Sequence, residues 1–120
     1  MQIHLLKSKI HRAIITESNV NYEGSMTVDR DFMDKVGFYP YEKILASNMA
    51  NGNRFETYLI PGERGSKCII LNGAAAHLGK PGDRLTIMGY TLADEAQAAN
   101  WQPRVIVMGE ANAIINERGI

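Results

Sequence analysis

Gly24 and Ser25 are neighbouring residues whose types allow the chain to react with itself. A serine hydroxyl can attack the carbonyl carbon of the peptide bond just before it, and this acyl shift gives an ester. Glycine before the serine helps, because it has no Cβ and tolerates strained backbone angles. The alternative is an ordinary turn, since Gly-Ser pairs are common and self-cleavage is rare. The pair therefore predicts chemistry only if other segments support it.

An ester at Ser25 would open a route to a reactive carbonyl group at a new chain end. Elimination from the ester leaves dehydroalanine, and water converts dehydroalanine into a pyruvoyl group with loss of ammonia. A pyruvoyl ketone forms Schiff bases with amines and acts as an electron sink. Such a group would be a cofactor made from the chain itself.

A second segment with chemical potential runs from Arg54 to Tyr58. As a strand it would place Arg54, Glu56 and Tyr58 on one face, and Phe55 with Thr57 on the other. Arginine can clamp a carboxylate with two hydrogen bonds, and tyrosine can donate its phenolic proton. Threonine and tyrosine are also ordinary strand formers, so a purely structural strand is the default interpretation of this segment.

Lys9 and His11 lie two residues apart on a predicted strand and therefore share a face. A lysine that reaches a pocket can bind a carboxylate as a point charge. Periodicity alone favours a solvated strand face.

The stretch Asn72-Gly73-Ala74-Ala75-Ala76 has only small residues after the asparagine. It would let a ligand approach the backbone at a helix start, or let a helix pack tightly on a sheet.

The elements that must position these residues follow from apolar alternation, Gly and Pro punctuation, and capping residues. Strands are predicted at residues 2–16, 20–23, 25–28, 43–49, 54–60, 67–71, 84–90 and 104–108. Turns are predicted at Glu17-Ser18-Asn19 and at Asn51-Gly52, the latter closing a hairpin over residues 43–60. Short helices are predicted at 31–37, after Asn72, and from an N-cap at Thr91 to a point before Pro103. The pattern indicates a mainly β fold, a compact barrel in one domain of residues 1–120.

Bulk composition excludes several classes of protein. The 120 residues carry 13 basic and 13 acidic side chains, so no basic excess favours nucleic acid or an anionic membrane surface. No apolar run approaches the ~20 residues that span a bilayer, and the start lacks a secretory leader. The lone Cys68 points to a reducing, cytoplasmic compartment and to a buried strand thiol. The three histidines have no metal-ligand spacing, so no metal site is expected.

Taken in order, these segments resemble one family, the pyruvoyl-dependent aspartate 1-decarboxylases of bacteria. The resembling pieces are Lys9-Ile10-His11-Arg12, Tyr22-Glu23-Gly24-Ser25, Asn51-Gly52 with Arg54-Phe55 and Thr57-Tyr58, Glu63-Arg64-Gly65-Ser66, and Asn72 to His77 followed by Gly82-Asp83. The resemblance implies a six-stranded double-psi β-barrel and a homotetramer with active sites between subunits. It also implies self-cleavage after Gly24, into a small chain 1–24 and a large chain 25–120. The implied reaction converts L-aspartate into β-alanine and carbon dioxide for pantothenate and coenzyme A synthesis.

The resemblance also assigns roles to residues by position. Ser25 would be the precursor of the pyruvoyl group that binds the substrate amine, and Tyr58 the proton donor. Arg54 and Lys9 would hold the two substrate carboxylates, and Thr57 would contact the substrate and polarise the Gly24 carbonyl during self-cleavage. The substrate cradle would consist of Asn72, Gly73, Ala74 and Ala75. His11 and Tyr22 would be second-tier residues of the pocket.

The sequence departs from this pattern at Met26, where a small residue such as Cys or Thr is expected after the serine. A large residue there could alter the rate of self-cleavage. The tail beyond Gly109 also has no feature that matches the family. The alternative to the enzyme is an unprocessed β-barrel that binds a ligand or partner without catalysis. DNA-binding regulators include barrels of this size, but the zero net charge weighs against that class.

Overall fold

Nine β-strands account for most of the secondary structure in the computed structural model, which describes residues 1–120. The strands are β1 (Gln2–Ile14), β2 (Glu17–Asn19), β3 (Met26–Asp29), β4 (Lys43–Asn48), β5 (Arg54–Gly62), β6 (Ile69–Asn72), β7 (Arg84–Asp94), β8 (Arg104–Met108) and β9 (Ile114–Arg118). The helices are α1 (Arg30–Val36), α2 (Glu95–Ala98) and two 3₁₀ segments, Gly73–Leu78 and Glu110–Asn112. None of the helices is long and apolar enough to span a membrane. The prediction of a mainly β fold with a few short helices is confirmed.

The strands pair in the order β2-β6-β3-β5-β4-β7-β1-β8-β9. Three of the pairs are parallel, namely β1 with β8, β2 with β6, and β3 with β5, and the others are antiparallel. This order has two free ends, at β2 and at β9, so the pairing does not close on itself. A closed six-stranded barrel is therefore not confirmed.

The core is one cluster of 18 buried hydrophobic residues, contributed by strands β1 and β3 to β8, by α1, and by Ile15 and Phe38 in connecting segments. Met26 belongs to this cluster and is fully buried. The side chain after Ser25 therefore packs inward, which accounts physically for a large apolar residue at that position. The start of β3 is held firmly in the core next to Gly24-Ser25.

Helix α1 confirms the helix predicted at 31–37, and its ends show why it forms there. The Asp29 carboxylate accepts a hydrogen bond from the Asp31 N–H at 2.8 Å, and Gly37 ends the helix with a φ of 79°. Asp29 also accepts hydrogen bonds from the N–H groups of Gly65 and Lys67. One buried carboxylate thus ties the end of β3 to the loop that precedes β6.

Two predictions between β1 and β3 are wrong. The predicted turn at Glu17-Ser18-Asn19 is strand β2, because it finds a parallel partner in β6, far away in the sequence. The predicted strand at 20–23 is a turn. The Asn19 side chain accepts from the Asn21 N–H at 3.1 Å, and this local bond bends the chain.

The helix predicted from Thr91 is also displaced. Strand β7 continues through Thr91, which pairs with Leu5, because β1 is long enough to pair with it as far as Asp94. Helix α2 begins only after Asp94, where Asp94 and Gln97 form a capping box. The hairpin β4–β5 and the strand at 104–108 agree with the prediction.

The C-terminal tail, which carries only weak local signals, forms strand β9 against β8. Its anchor is Asn112, which is 1% exposed. The Asn112 side chain accepts from the Ile14 N–H at 2.7 Å and donates to the carbonyls of Ile14 and Lys67. The tail is thereby attached to the end of β1 and to the loop before β6.

Candidate active site

Strand β3 lies between β5 and β6, and this arrangement brings together segments that are distant in the sequence. Met26, the first residue of β3, is opposite Leu59 on one side and Leu71 on the other. Ser25 therefore lies beside Tyr58 and Asn72, one residue along each neighbouring strand. The register of one central strand positions three of the predicted site residues.

A cavity of about 340 Å³ opens at this point. Its wall consists of Gly24, Ser25, Phe55, Glu56, Thr57, Tyr58, Asn72, Ala74, Ala75 and Leu78. A larger cavity of about 420 Å³ lies over β4 and β7 and is lined by none of the predicted site residues. The smaller cavity is the candidate active site, because it alone gathers the residues with predicted chemistry.

Ser25 is held from two sides at the cavity wall and is only 7% exposed. Its hydroxyl donates a hydrogen bond to the backbone carbonyl of Tyr58 at 2.5 Å. Its own carbonyl accepts from the Asn72 N–H at 2.8 Å. The Asn72 side chain in turn donates to the Thr27 hydroxyl at 3.0 Å, which fixes the end of β6 against β3.

Gly24 has a φ of 109°, a conformation that residues with a Cβ rarely adopt. A Cβ built on Gly24 would lie 2.5 Å from Cδ1 of Ile60 and 3.8 Å from the Tyr58 hydroxyl. Gly73 has a φ of 60°, and a Cβ there would lie 3.1 Å from the Gly24 carbonyl oxygen. The peptide bond between Gly24 and Ser25 is therefore packed closely on both sides, next to the start of the 3₁₀ segment.

The structure does not bring Lys9 and Arg54 to this cavity. Lys9 is opposite Met88, Met88 is opposite Leu45, and Leu45 is opposite Glu56, so these residues form one row across β1, β7, β4 and β5. The neighbouring row points into the core and consists of Ile10, Ile87, Ala46 and Phe55. Lys9 and Arg54 thus lie on the surface of this four-stranded region that points away from the core. We call this surface the outer face.

His11 and Tyr22, the second-tier residues, also lie outside the cavity wall. His11 Nδ1 is 3.2 Å from the Thr86 hydroxyl. Burial lowers the pKa of His11, and the positive charges of Lys9, Arg12 and Arg118 lower it further, so its ring is neutral at pH 7. The Tyr22 side chain is half exposed, although its carbonyl lies near Gly73.

Thr57 lines the cavity, but its hydroxyl makes no hydrogen bond, so its contact with the Gly24 carbonyl stays a prediction. Phe55, Glu56 and Leu78 line the wall without having been predicted as site residues. Phe55 and Leu78 are apolar wall residues that carry no chemical signal in the sequence.

Cys68 is half buried, and burial raises the pKa of its thiol, which disfavours the reactive thiolate. No group of three or more His, Cys, Asp or Glu side chains is arranged to hold a metal ion.

Comparison with known proteins identifies relatives that match nearly the whole chain. The aspartate decarboxylase family matches residues 1–115. The aspartate 1-decarboxylase of Clostridium kluyveri is 52% identical over 114 residues, 95% of this chain and 90% of the relative. That of Carboxydothermus hydrogenoformans is 49% identical over 115 residues, 96% of this chain and 91% of the relative. That of Thermoanaerobacter pseudethanolicus is 47% identical over 116 residues, covering 97% of this chain and 99% of the relative.

These matches define a carbon–carbon lyase of the decarboxylase class. The chain belongs to the aspartate decarboxylase family.

Gly24→Ala should block or greatly slow any processing at Ser25, because the new Cβ would meet Ile60 in a backbone conformation that alanine resists. The variant would be compared with the parent on a denaturing gel over time. Gly52→Ala is the matched control, since Gly52 has a φ of 77° but nothing within 4 Å of its Cβ position. Processing of Gly24→Ala at the parent rate would show that the close packing of Gly24 is irrelevant to the reaction.

Proposed function

We propose that this chain cleaves itself between Gly24 and Ser25 and then decarboxylates L-aspartate to β-alanine and carbon dioxide. A pyruvoyl group made from Ser25 would be its cofactor, and β-alanine would supply pantothenate and coenzyme A synthesis in the cytoplasm. The observation that carries the proposal is the position of Ser25. It is buried at a cavity wall beside Tyr58 and Asn72, directly after a glycine of strained conformation. The printed names of the three relatives support the substrate.

In the cleavage step, the Ser25 hydroxyl breaks its hydrogen bond to the Tyr58 carbonyl and attacks the carbonyl carbon of Gly24. A C–O bond forms, the C–N bond breaks, and the released amine takes up the proton. Elimination then frees chain 1–24 with a carboxylate at Gly24. Water adds to the remaining dehydroalanine, ammonia leaves, and chain 25–120 begins with a ketone. Thr57 would polarise the Gly24 carbonyl once its free hydroxyl turns toward that oxygen.

The residues around position 25 fit such a group. The Asn72 N–H donates to the Ser25 carbonyl and would keep that atom in place after the chain has been cut. The cavity beside it leaves room for a small substrate. When present, the ketone would bind the substrate amine covalently and take up the electrons that the departing carboxylate leaves behind.

The other wall residues would hold the substrate and supply a proton. The Tyr58 side chain lines the cavity near Gly24, so its hydroxyl can protonate the substrate α-carbon. Asn72 would hydrogen-bond the substrate. The small side chains of Ala74 and Ala75 in the wall, and the bare backbone of Gly73 next to the Gly24 carbonyl, would allow a close approach.

Lys9 and Arg54 are suited to hold the two carboxylates because neither has an acidic partner in the protomer. Since they lie on the outer face, they would reach the cavity of a neighbouring protomer in a homotetramer. Exposed apolar side chains on the same face, Tyr90 and Leu92, support its burial against another subunit. Binding alone would not accelerate the reaction, so these cations would act by turning the departing carboxylate perpendicular to the plane of the electron sink.

The proposed architecture is the double-psi β-barrel of a single domain, cut into chains 1–24 and 25–120. Parallel pairs among antiparallel ones support it, because β1 and β3 each pair with one parallel and one antiparallel strand. Chain 1–24 would stay attached through β1, which lies between β7 and β8.

Incubation of the purified protein with L-aspartate tests the proposed activity. We expect β-alanine and carbon dioxide in equal amounts, measured by amino-acid analysis and by trapped gas. L-Glutamate should react poorly, because its longer side chain shifts one carboxylate out of position. Full-length, uncleaved protein that binds a ligand without forming β-alanine would favour the alternative, a binding module without catalysis.

A further inference from the structure

A row of polar residues crosses the outer face beside the row that contains Lys9. Arg54 is opposite Ser47 on β4, and Ser47 is opposite Thr86 on β7. Thr86 reaches His11 on β1 through the hydrogen bond of 3.2 Å. The row therefore runs from a guanidinium through two hydroxyls to an imidazole, across four strands.

Ser47 is the one member of this row with a buried side-chain atom that lacks a hydrogen bond. Its hydroxyl oxygen is buried and has no hydrogen-bond partner, and no other buried side-chain nitrogen or oxygen lacks one. The second hydroxyl, that of Thr86, is already engaged with His11. A buried hydroxyl without a partner costs free energy, so an acceptor is expected to complete it.

The neighbouring charges indicate which acceptor would fit. Arg54 makes no ion pair, and Lys9, in the adjacent row, makes none either. The nearest acid in that row, Glu56, is paired with Lys43 at 2.9 Å. A free guanidinium opposite an unpartnered hydroxyl favours a carboxylate, which has enough acceptor positions for both groups together.

We propose that Ser47 is a further substrate-binding residue, whose hydroxyl donates a hydrogen bond to the carboxylate that Arg54 holds. The inference rests on the proposed function, which gives Arg54 its carboxylate. Residues directly opposite on paired strands have Cα atoms about 4.5–5.5 Å apart, so one carboxylate can contact both side chains. Ser47 thereby adds to the selection of a dicarboxylate over a substrate with one carboxylate.

Succinate is the probe, because it carries two carboxylates but has no amine to react with a ketone. Its Kd would be measured by calorimetry on the purified full-length protein, processed or not, and on its variants. Ser47→Ala should raise the Kd about tenfold, the effect of one hydrogen bond to a charged group. Ser47→Thr should restore binding, since it keeps a hydroxyl and threonine suits a strand.

Stability separates this role from a structural one. Ser47→Ala should leave the urea midpoint unchanged or raise it, because it removes a hydroxyl with no partner. Ser18→Ala is the matched control: its hydroxyl donates to the Gly79 carbonyl at 3.0 Å, so its loss should lower the midpoint and leave the Kd unchanged.

Unchanged succinate binding in Ser47→Ala would overturn the inference, and β-alanine formation by that variant would leave the proposed function standing. Failure of the parent protein to bind succinate would also overturn it, with the L-aspartate assay deciding whether the proposed function falls as well. A lower urea midpoint with unchanged Kd would assign Ser47 to packing or assembly.

Discussion

Ser25→Ala is expected to remain a single chain of 120 residues and to form no β-alanine from L-aspartate. The reason is that the substitution removes the only atom that can attack the Gly24 carbonyl from position 25, and with it the source of the ketone. The fold should survive. Alanine is smaller than serine, Met26 still anchors β3 in the core, and the Asn72 N–H keeps its acceptor at the carbonyl of residue 25.

A denaturing gel and the L-aspartate assay measure both parts of this expectation. Ser66→Ala serves as the control, because Ser66 is exposed and its hydroxyl bonds only within its own loop, donating to the Glu63 carbonyl and accepting from the Cys68 N–H. That variant should cleave and turn over as the parent does. Measurable decarboxylation by Ser25→Ala would refute the pyruvoyl mechanism outright.

Tyr58→Phe is expected to cleave normally and to decarboxylate slowly. The hydrogen bond from Ser25 goes to the backbone carbonyl of Tyr58, which phenylalanine keeps, so the geometry of the scissile bond is preserved. Only the phenolic hydroxyl is lost, and with it the proposed proton donor. Loss of a general acid lowers turnover by about 10²–10⁴-fold.

The test compares kcat of the fully cleaved variant with that of the parent. Tyr41→Phe is the matched control, because the Tyr41 ring lies 6.4 Å from that of Tyr58 and is 76% exposed. Its kcat should equal that of the parent. If Tyr58→Phe also turned over at the parent rate, another group would have to donate the proton.

Local sequence signals predicted the elements whose conformation depends mainly on their own residues. Asp31 and Gly37 mark the two ends of α1, and Asn51-Gly52 marks the turn between β4 and β5. Elements that depend on a distant partner were missed. Thr91 lies in a strand because of Leu5, and β2 is a strand because of β6, and neither pairing has a local signature.

The same distinction between local signals and distant pairing applies to the candidate site. Residue types identified Ser25, Tyr58 and Asn72 as chemically capable, but only the register of β3 shows that they meet. Arg54 and Tyr58 share a strand, and the sequence suggested one pocket for both. Arg54 instead lies outside the cavity: it is the first residue of β5, and only the later residues Phe55 to Tyr58 line the wall. No sequence pattern marks Ser47, because its proposed role depends on a missing hydrogen bond that only the structure reveals.

The intact mass of the purified protein tests the central claim most directly. Self-cleavage with conversion of Ser25 predicts two polypeptides, residues 1–24 and residues 25–120. The larger one should be lighter, by the mass of one ammonia, than the same polypeptide beginning with serine. A single species with the mass of the whole chain, or a larger fragment that retains its serine, would contradict the claim.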